Sequence, residues 1–187
     1  VQEGRLEPDP AQAQIVKRLD QLAAQLEAHR LARKTSALGW LFSRKAPTEP
    51  IRGLYLWGSV GRGKTMLVDL FHEQLQVKRK RRAHFHAFMQ DIHKGMHAAR
   101  KTGVEDPLAP VADAIIRDTR LLAFDEMQIS DITDAMVVGR LFEMLLEGGV
   151  VGVVGSCVVR TSLDSFSATA SAKKRLFVEK WDDRDER

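Results

Sequence analysis

The sequence predicts an α/β protein, a three-layer sandwich in which helices cover both faces of a mostly parallel sheet. Three observations carry this. The apolar runs Leu54–Trp57, Leu121–Phe124 and Val150–Val154 have strand length and polar or glycine borders, as strands buried on both faces do. Segments whose apolar residues recur at helical spacing separate them, and that alternation implies parallel pairing. The first run also leads into Gly58-Ser59-Val60-Gly61-Arg62-Gly63-Lys64-Thr65, which fits the phosphate-loop pattern of a glycine, four residues, then Gly-Lys-Thr, in the strand, loop, helix context that pattern requires.

A chain of 187 residues that is 44% hydrophobic suits one well-buried domain. Its net charge of +4, from 29 Lys+Arg against 25 Asp+Glu, is a modest excess from which nucleic-acid binding does not follow. The single cysteine, Cys157, forms no internal disulfide and suits a reducing compartment, the cytoplasm or alternatively the mitochondrial matrix. No apolar run approaches membrane-spanning length. The start at Val1, with no Met and no leader, reads as a processed or internal fragment.

In chain order, Asp9 is placed as the N-cap of a helix with Pro10 at its first position and Gln12 reaching back. Ile15, Leu19, Leu22 and Leu26 form a packing stripe, so residues 1–42 read as a helical segment on the core. Ser43 to Pro50 is a connector, and residues 43–157 form the nucleotide core. After the glycine loop, Leu67, Leu70, Phe71 and Leu75 mark the inner face of a helix. Lys78-Arg79-Lys80-Arg81-Arg82 reads as a solvated run complementing that helix's C-terminal dipole. A phosphate-backbone contact is the rival, weakened because no aromatic residue interleaves it. His84-Phe85-His86-Ala87-Phe88 alternates as a strand does, and Met89, Ile92, Met96 and Ala99 resume helical spacing. His93 and His97 stand four apart, a spacing zinc sites use, but no Glu follows His93 and no cysteine is near, so they read as ordinary histidines. Pro107 opens a helix with Leu108, Val111, Ala112, Ile115 and Ile116 inward. Asp131 caps another, with Ile132, Ala135, Met136, Leu141, Phe142 and Leu145 apolar and Gly148-Gly149 closing it.

The chemistry these residues suit is the handling of magnesium-ATP. Backbone amides of Ser59 to Lys64, freed by the glycines, surround phosphates at a helix N-terminus. Lys64 neutralises the β and γ phosphates and the Thr65 hydroxyl coordinates Mg2+. The buried run ending in Asp125-Glu126 supplies the rest, Asp125 toward the metal and Glu126 toward the attacking water.

Gly53 to Met66, His84 to Met89, Leu122 to Glu126, Asp131 to Met136 and Gly139 to Phe142 together closely resemble the ZapE cell-division ATPases, a family that includes the mitochondrial lactation-elevated ATPases. The resemblance runs from about Gly4 to Ser156. It implies an AAA+-like core, Mg2+-dependent ATP hydrolysis and contact with FtsZ or other membrane-associated division proteins, with homo-oligomerisation left open. A helicase-loader-like remodelling ATPase using Lys78 to Arg82 and a nucleotide-binding fragment without turnover are the alternatives. The chain departs from the family after Val154. Gly155-Ser156-Cys157 stands where the family has Thr-Ser-Asn, and a cysteine is a poor substitute for that amide. Residues 158–187 read as an aberrant tail, out of frame with the family sequence, so the fold is expected to be incomplete at its C-terminus, without an arginine finger and with the sheet edge beside the first strand open. A genuine tail in which Leu176-Phe177-Val178 supplies a last strand is the alternative.

Overall fold

The computed structural model describes residues 10–35, 51–58, 63–125, 127, 132–156 and 176–181. Its elements are α1 (Pro10–Thr35), β1 (Gly53–Gly58), α2 (Lys64–Gln74), β2 (Lys80–His84), α3 (Phe85–Lys101), α4 (Leu108–Asp118), β3 (Leu121–Asp125), α5 (Ile132–Glu147), β4 (Val151–Ser156) and β5 (Leu176–Trp181). The strands form one five-stranded sheet in the order β2-β3-β4-β1-β5, and every pairing is parallel.

The two-residue period of the strands builds the sandwich. Leu54 and Leu56 of β1, Leu121 and Ala123 of β3, and Val151 and Val153 of β4 face one side, where they meet α1 and α2. Tyr55, Leu122, Phe124 and Val154 face the other and meet α3, α4 and α5. All of β3 is buried. The α1 stripe Ile15, Leu19, Leu22 and Leu26 is buried against the first side, so it is a packing face as its spacing predicts. Pro10 does stand at the start of α1, whereas Asp9 and the connector from Ser43 to Pro50 lie outside the described residues.

Four expectations change. The strand expected at His84 to Phe88 is instead β2 at Lys80–His84, and Phe85 begins α3. Phe85, Phe88, Met89, Ile92 and Met96 are all buried, and their spacing of three and four makes one helical stripe, against which a two-residue alternation over five positions counts for little. Leu70 is 47% exposed, because the inner face of α2 runs through Leu67, Val68 and Phe71 and turns Leu70 outward. Met136 is 74% exposed, since it lies two residues, about 200° of helical rotation, from buried Val138. Finally, the edge beside β1 is occupied: β5 pairs with β1 from Gly53↔Leu176 to Gly58↔Trp181, taking the place of the expected open edge.

Candidate nucleotide site

A sheet whose strands are all parallel brings all their C-terminal ends to one edge, where open α/β sheets form their ligand crevice. Gly58 ends β1 and Asp125 ends β3 on that edge, with β4 between them. The register Phe124↔Val154 and Tyr55↔Val154 sets Asp125 level with Leu56, and Gly58 two residues farther along. Two strand spacings, about 10 Å, separate the two chains laterally.

Gly63 is the N-cap of α2 and has φ 81°, a left-handed conformation that a side chain would strain. No side chain caps the helix start and its first turn contains no acid, so the positive end of the helix dipole is not compensated locally. Lys64 is 4% exposed and its Nζ donates to the Gly58 carbonyl at 3.0 Å, closing the loop across its base. Thr65 follows in the first turn, exposed. Ser59, Val60, Gly61, Arg62, Glu126 and Cys157 lie outside the described residues.

Asp125, 5% exposed, is where the structure adds most. It continues the face of Leu121 and Ala123, toward α2. Its Oδ2 accepts a hydrogen bond from Arg82 Nη2 at 3.0 Å, and Arg82 Nε donates in turn to Asp69 Oδ1 of α2 at 2.7 Å. His84 Nδ1 lies 2.8 Å from Asp125 Oδ1, but outside hydrogen-bonding geometry, so Oδ1 is a buried oxygen with no hydrogen-bond partner. Burial by itself would lower the Arg82 pKa, but the hydrogen bonds and charges of Asp69 and Asp125 outweigh it and hold the guanidinium above its ordinary value. A buried carboxylate oxygen that accepts no hydrogen bond fits a hard cation that prefers oxygen ligands. Asp125 offers such an oxygen, and Thr65, exposed in the first turn of α2, offers a hydroxyl of the same kind.

Arg82, Asp69 and His84 were not singled out from the sequence as site residues. The pairing His84↔Asp125 and Arg82↔Ala123 brings the two β2 residues to Asp125, and Asp69 reaches Arg82 from α2; contacts between elements distant in sequence leave no local signal.

The same pairing explains the basic run. On the α2 side, Lys80 Nζ donates to the carbonyls of His72, Glu73 (3.1 Å) and Leu75 (2.9 Å) at the end of α2. On the other side, Arg81 pairs with Asp91 at 3.3 Å and lies over the Phe88 ring at 5.4 Å. Arg79 Nη1 donates to the Arg117 carbonyl at 2.6 Å. The run does complement the end of α2, but chiefly as an edge strand, and its charges also suit an edge that must not pair with another sheet. His93 Nε2 lies 2.9 Å from Asp134 Oδ1 of α5, and among the described residues no cluster of three or more His, Cys, Asp or Glu is placed to hold a metal. Among the described residues no helix is long and apolar enough to cross a membrane.

A model of the AFG1-like ATPase family matches residues 1–165. The chain is 41% identical over 161 residues to the cell division protein ZapE of Escherichia coli K12, an alignment that covers 82% of this chain and 42% of that protein. It is 44% identical over 116 residues to lactation elevated protein 1 homolog B of Danio rerio, covering 57% of this chain and 23% of that protein. The chain therefore spans less than half the length of these curated relatives. Among solved structures, domain III of the Thermotoga maritima replication initiation protein DnaA superposes with a TM-score of 0.58 at 17% identity, over 97% of this chain and 66% of that one. At that identity the likeness is one of fold alone.

Proposed function

The chain belongs to the AFG1-like ATPase family, and from that membership we propose that it binds Mg2+-ATP at the Gly58–Thr65 loop and hydrolyses it. The observation that carries the reading is Asp125: a buried carboxylate with one oxygen that accepts no hydrogen bond, at the same sheet edge as the loop that Lys64 closes. Backbone amides of Ser59 to Lys64 hold the phosphates, and Lys64 exchanges the Gly58 carbonyl for the β and γ oxygens. Thr65 and Asp125 hold Mg2+, which when bound supplies charge neutralisation at the outer phosphates. Glu126, next along from the metal ligand, orients the attacking water and accepts its proton.

Turnover and nucleotide affinity measured side by side test this. Glu126→Gln is expected to lower turnover by about 10²–10⁴-fold, the usual share of a general base, with ATP affinity retained. Tight binding without hydrolysis in the parent chain, unchanged in the variant, overturns the enzymatic reading and leaves a nucleotide-binding fragment. The cell division relative supports a cell-division setting, and action on the FtsZ ring is the form of it that the family resemblance implies. Stimulation of turnover by FtsZ polymers in the same assay is the expected result, and indifference to them removes that setting. The helicase-loader alternative loses support, because Arg79, Lys80, Arg81 and Arg82 are all engaged within the chain.

A further inference from the structure

We propose that Arg82 is a positioning residue for Asp125: by pinning Oδ2 it fixes the carboxylate so that Oδ1 faces the cation of bound Mg2+-ATP. The inference rests on the ATPase reading above and deepens it.

The terminal torsion of an aspartate is a broad two-fold rotor, so a carboxylate that must offer one oxygen in one direction needs its other oxygen held. Arg82 is built to hold it. Its planar guanidinium spends Nη2 on Asp125 Oδ2 at 3.0 Å, Nε on Asp69 Oδ1 at 2.7 Å and Nη1 on the Ala83 carbonyl at 3.4 Å. A rigid fork anchored at three points does not follow Asp125 if that side chain turns. The group is only 20% exposed, so water competes weakly for these bonds.

Charge is consistent with this role. Asp69 and Asp125 bring two negative charges and Arg82 one positive, so the trio keeps a net negative charge, with the His84 Nδ1 2.8 Å from Oδ1. That oxygen is buried without accepting a hydrogen bond, a desolvation cost that a bound cation removes. The His84 ring beside it is 79% exposed and does not form a hydrogen bond to it, so it can swing aside into water.

The link also reaches the second ligand. Asp69 stands four residues after Thr65 on α2 and so lies one turn along on the same helix face. Holding Asp69 against Arg82 therefore turns the Thr65 face of α2 toward the end of β3. One guanidinium sets the relative placement of both side chains expected to touch the metal.

Arg82→Lys tests this with charge conserved, because a single ammonium cannot span both carboxylates. Mn2+ binding to the ATP complex of the full chain, followed by electron paramagnetic resonance, is expected to weaken about tenfold or more, the usual effect of losing a group that orients a metal ligand. ATP affinity in EDTA is expected to stay unchanged. Asp69→Ala, which removes the acceptor that ties the fork to α2, is expected to shift Mn2+ affinity in the same direction by less, and it decides the matter if Arg82→Lys fails to fold. Parent Mn2+ affinity in the folded variants, whatever their melting temperature, overturns the proposal while leaving the ATPase reading intact. A parent chain that binds no Mn2+ with ATP overturns both.

Discussion

Lys80→Met separates a structural basic run from a nucleic-acid contact. The Lys80 ammonium donates to three carbonyls at the end of α2, those of His72, Glu73 and Leu75. These belong to the last turn, where no intrahelical donor is available, and the cation also opposes the negative end of the helix dipole. A hydrogen bond with one charged partner is worth about 1.5–3 kcal/mol net. The group is partly exposed and water takes over some of the carbonyls in the variant, so the expected loss is about 2 kcal/mol for the set rather than for each bond. For a chain of this size each kcal/mol moves the melting temperature by about 2–4 °C, so Lys80→Met is expected to lower Tm by about 4–8 °C. Calorimetry or circular dichroism reads this directly, with single-stranded DNA binding measured beside it. A Tm within about 1 °C of the parent refutes the capping argument, and a simultaneous loss of salt-dependent DNA affinity installs the nucleic-acid reading in its place.

Phe124, fully buried, meets Phe88 edge-on at 4.8 Å, Phe85 at 5.8 Å and Phe142 at 5.7 Å. Phe124→Ala is expected to cost about 3–5 kcal/mol in urea unfolding, and a loss under about 1 kcal/mol contradicts the central placement of that ring. His72 has a buried Nε2 without a hydrogen-bond partner, and burial, then the charges of Lys80 and Arg82, hold its imidazole below the ordinary histidine value. The unfolded chain therefore takes up the proton first: stability from this group is complete above about pH 6.5 and falls with pH until the folded value is reached. The urea midpoint is expected to drop below that pH less steeply in His72→Gln than in the parent, and identical slopes refute it.

Much of the fold was legible because its signals are local. The phosphate loop is contiguous, and glycines with Gly-Lys-Thr after a strand need no partner to be recognised. The α1 stripe and the buried run ending in Asp125 follow from periodicity alone, since burial on one face or two imposes its own spacing. The edges of elements were less legible. Lys80 to Arg82 are poor strand residues by composition, and only the hydrogen-bonding edge of β3, supplied from some forty positions away in sequence, makes them one. Leu70 reads as an inner residue, and Met136 as one of the apolar positions of its helix, because apolar character is visible in a sequence and rotation about the helix is not.

Sequence alone was enough to mark a loop of phosphate-binding pattern, the cations and acids on offer, and the alternation of strands with helices. The tertiary structure alone decided the order β2-β3-β4-β1-β5, and with it the neighbours of each group. That order set Arg82 between Asp69 and Asp125, drew the half-buried Lys80 and Arg81 into pairings within the chain and placed β5 beside β1. The physical reason is range. Helix periods and glycine loops are enforced by the chain's own backbone within a few residues. A strand's partner is chosen by the whole core, so the groups that surround Asp125 become neighbours only when the sheet closes.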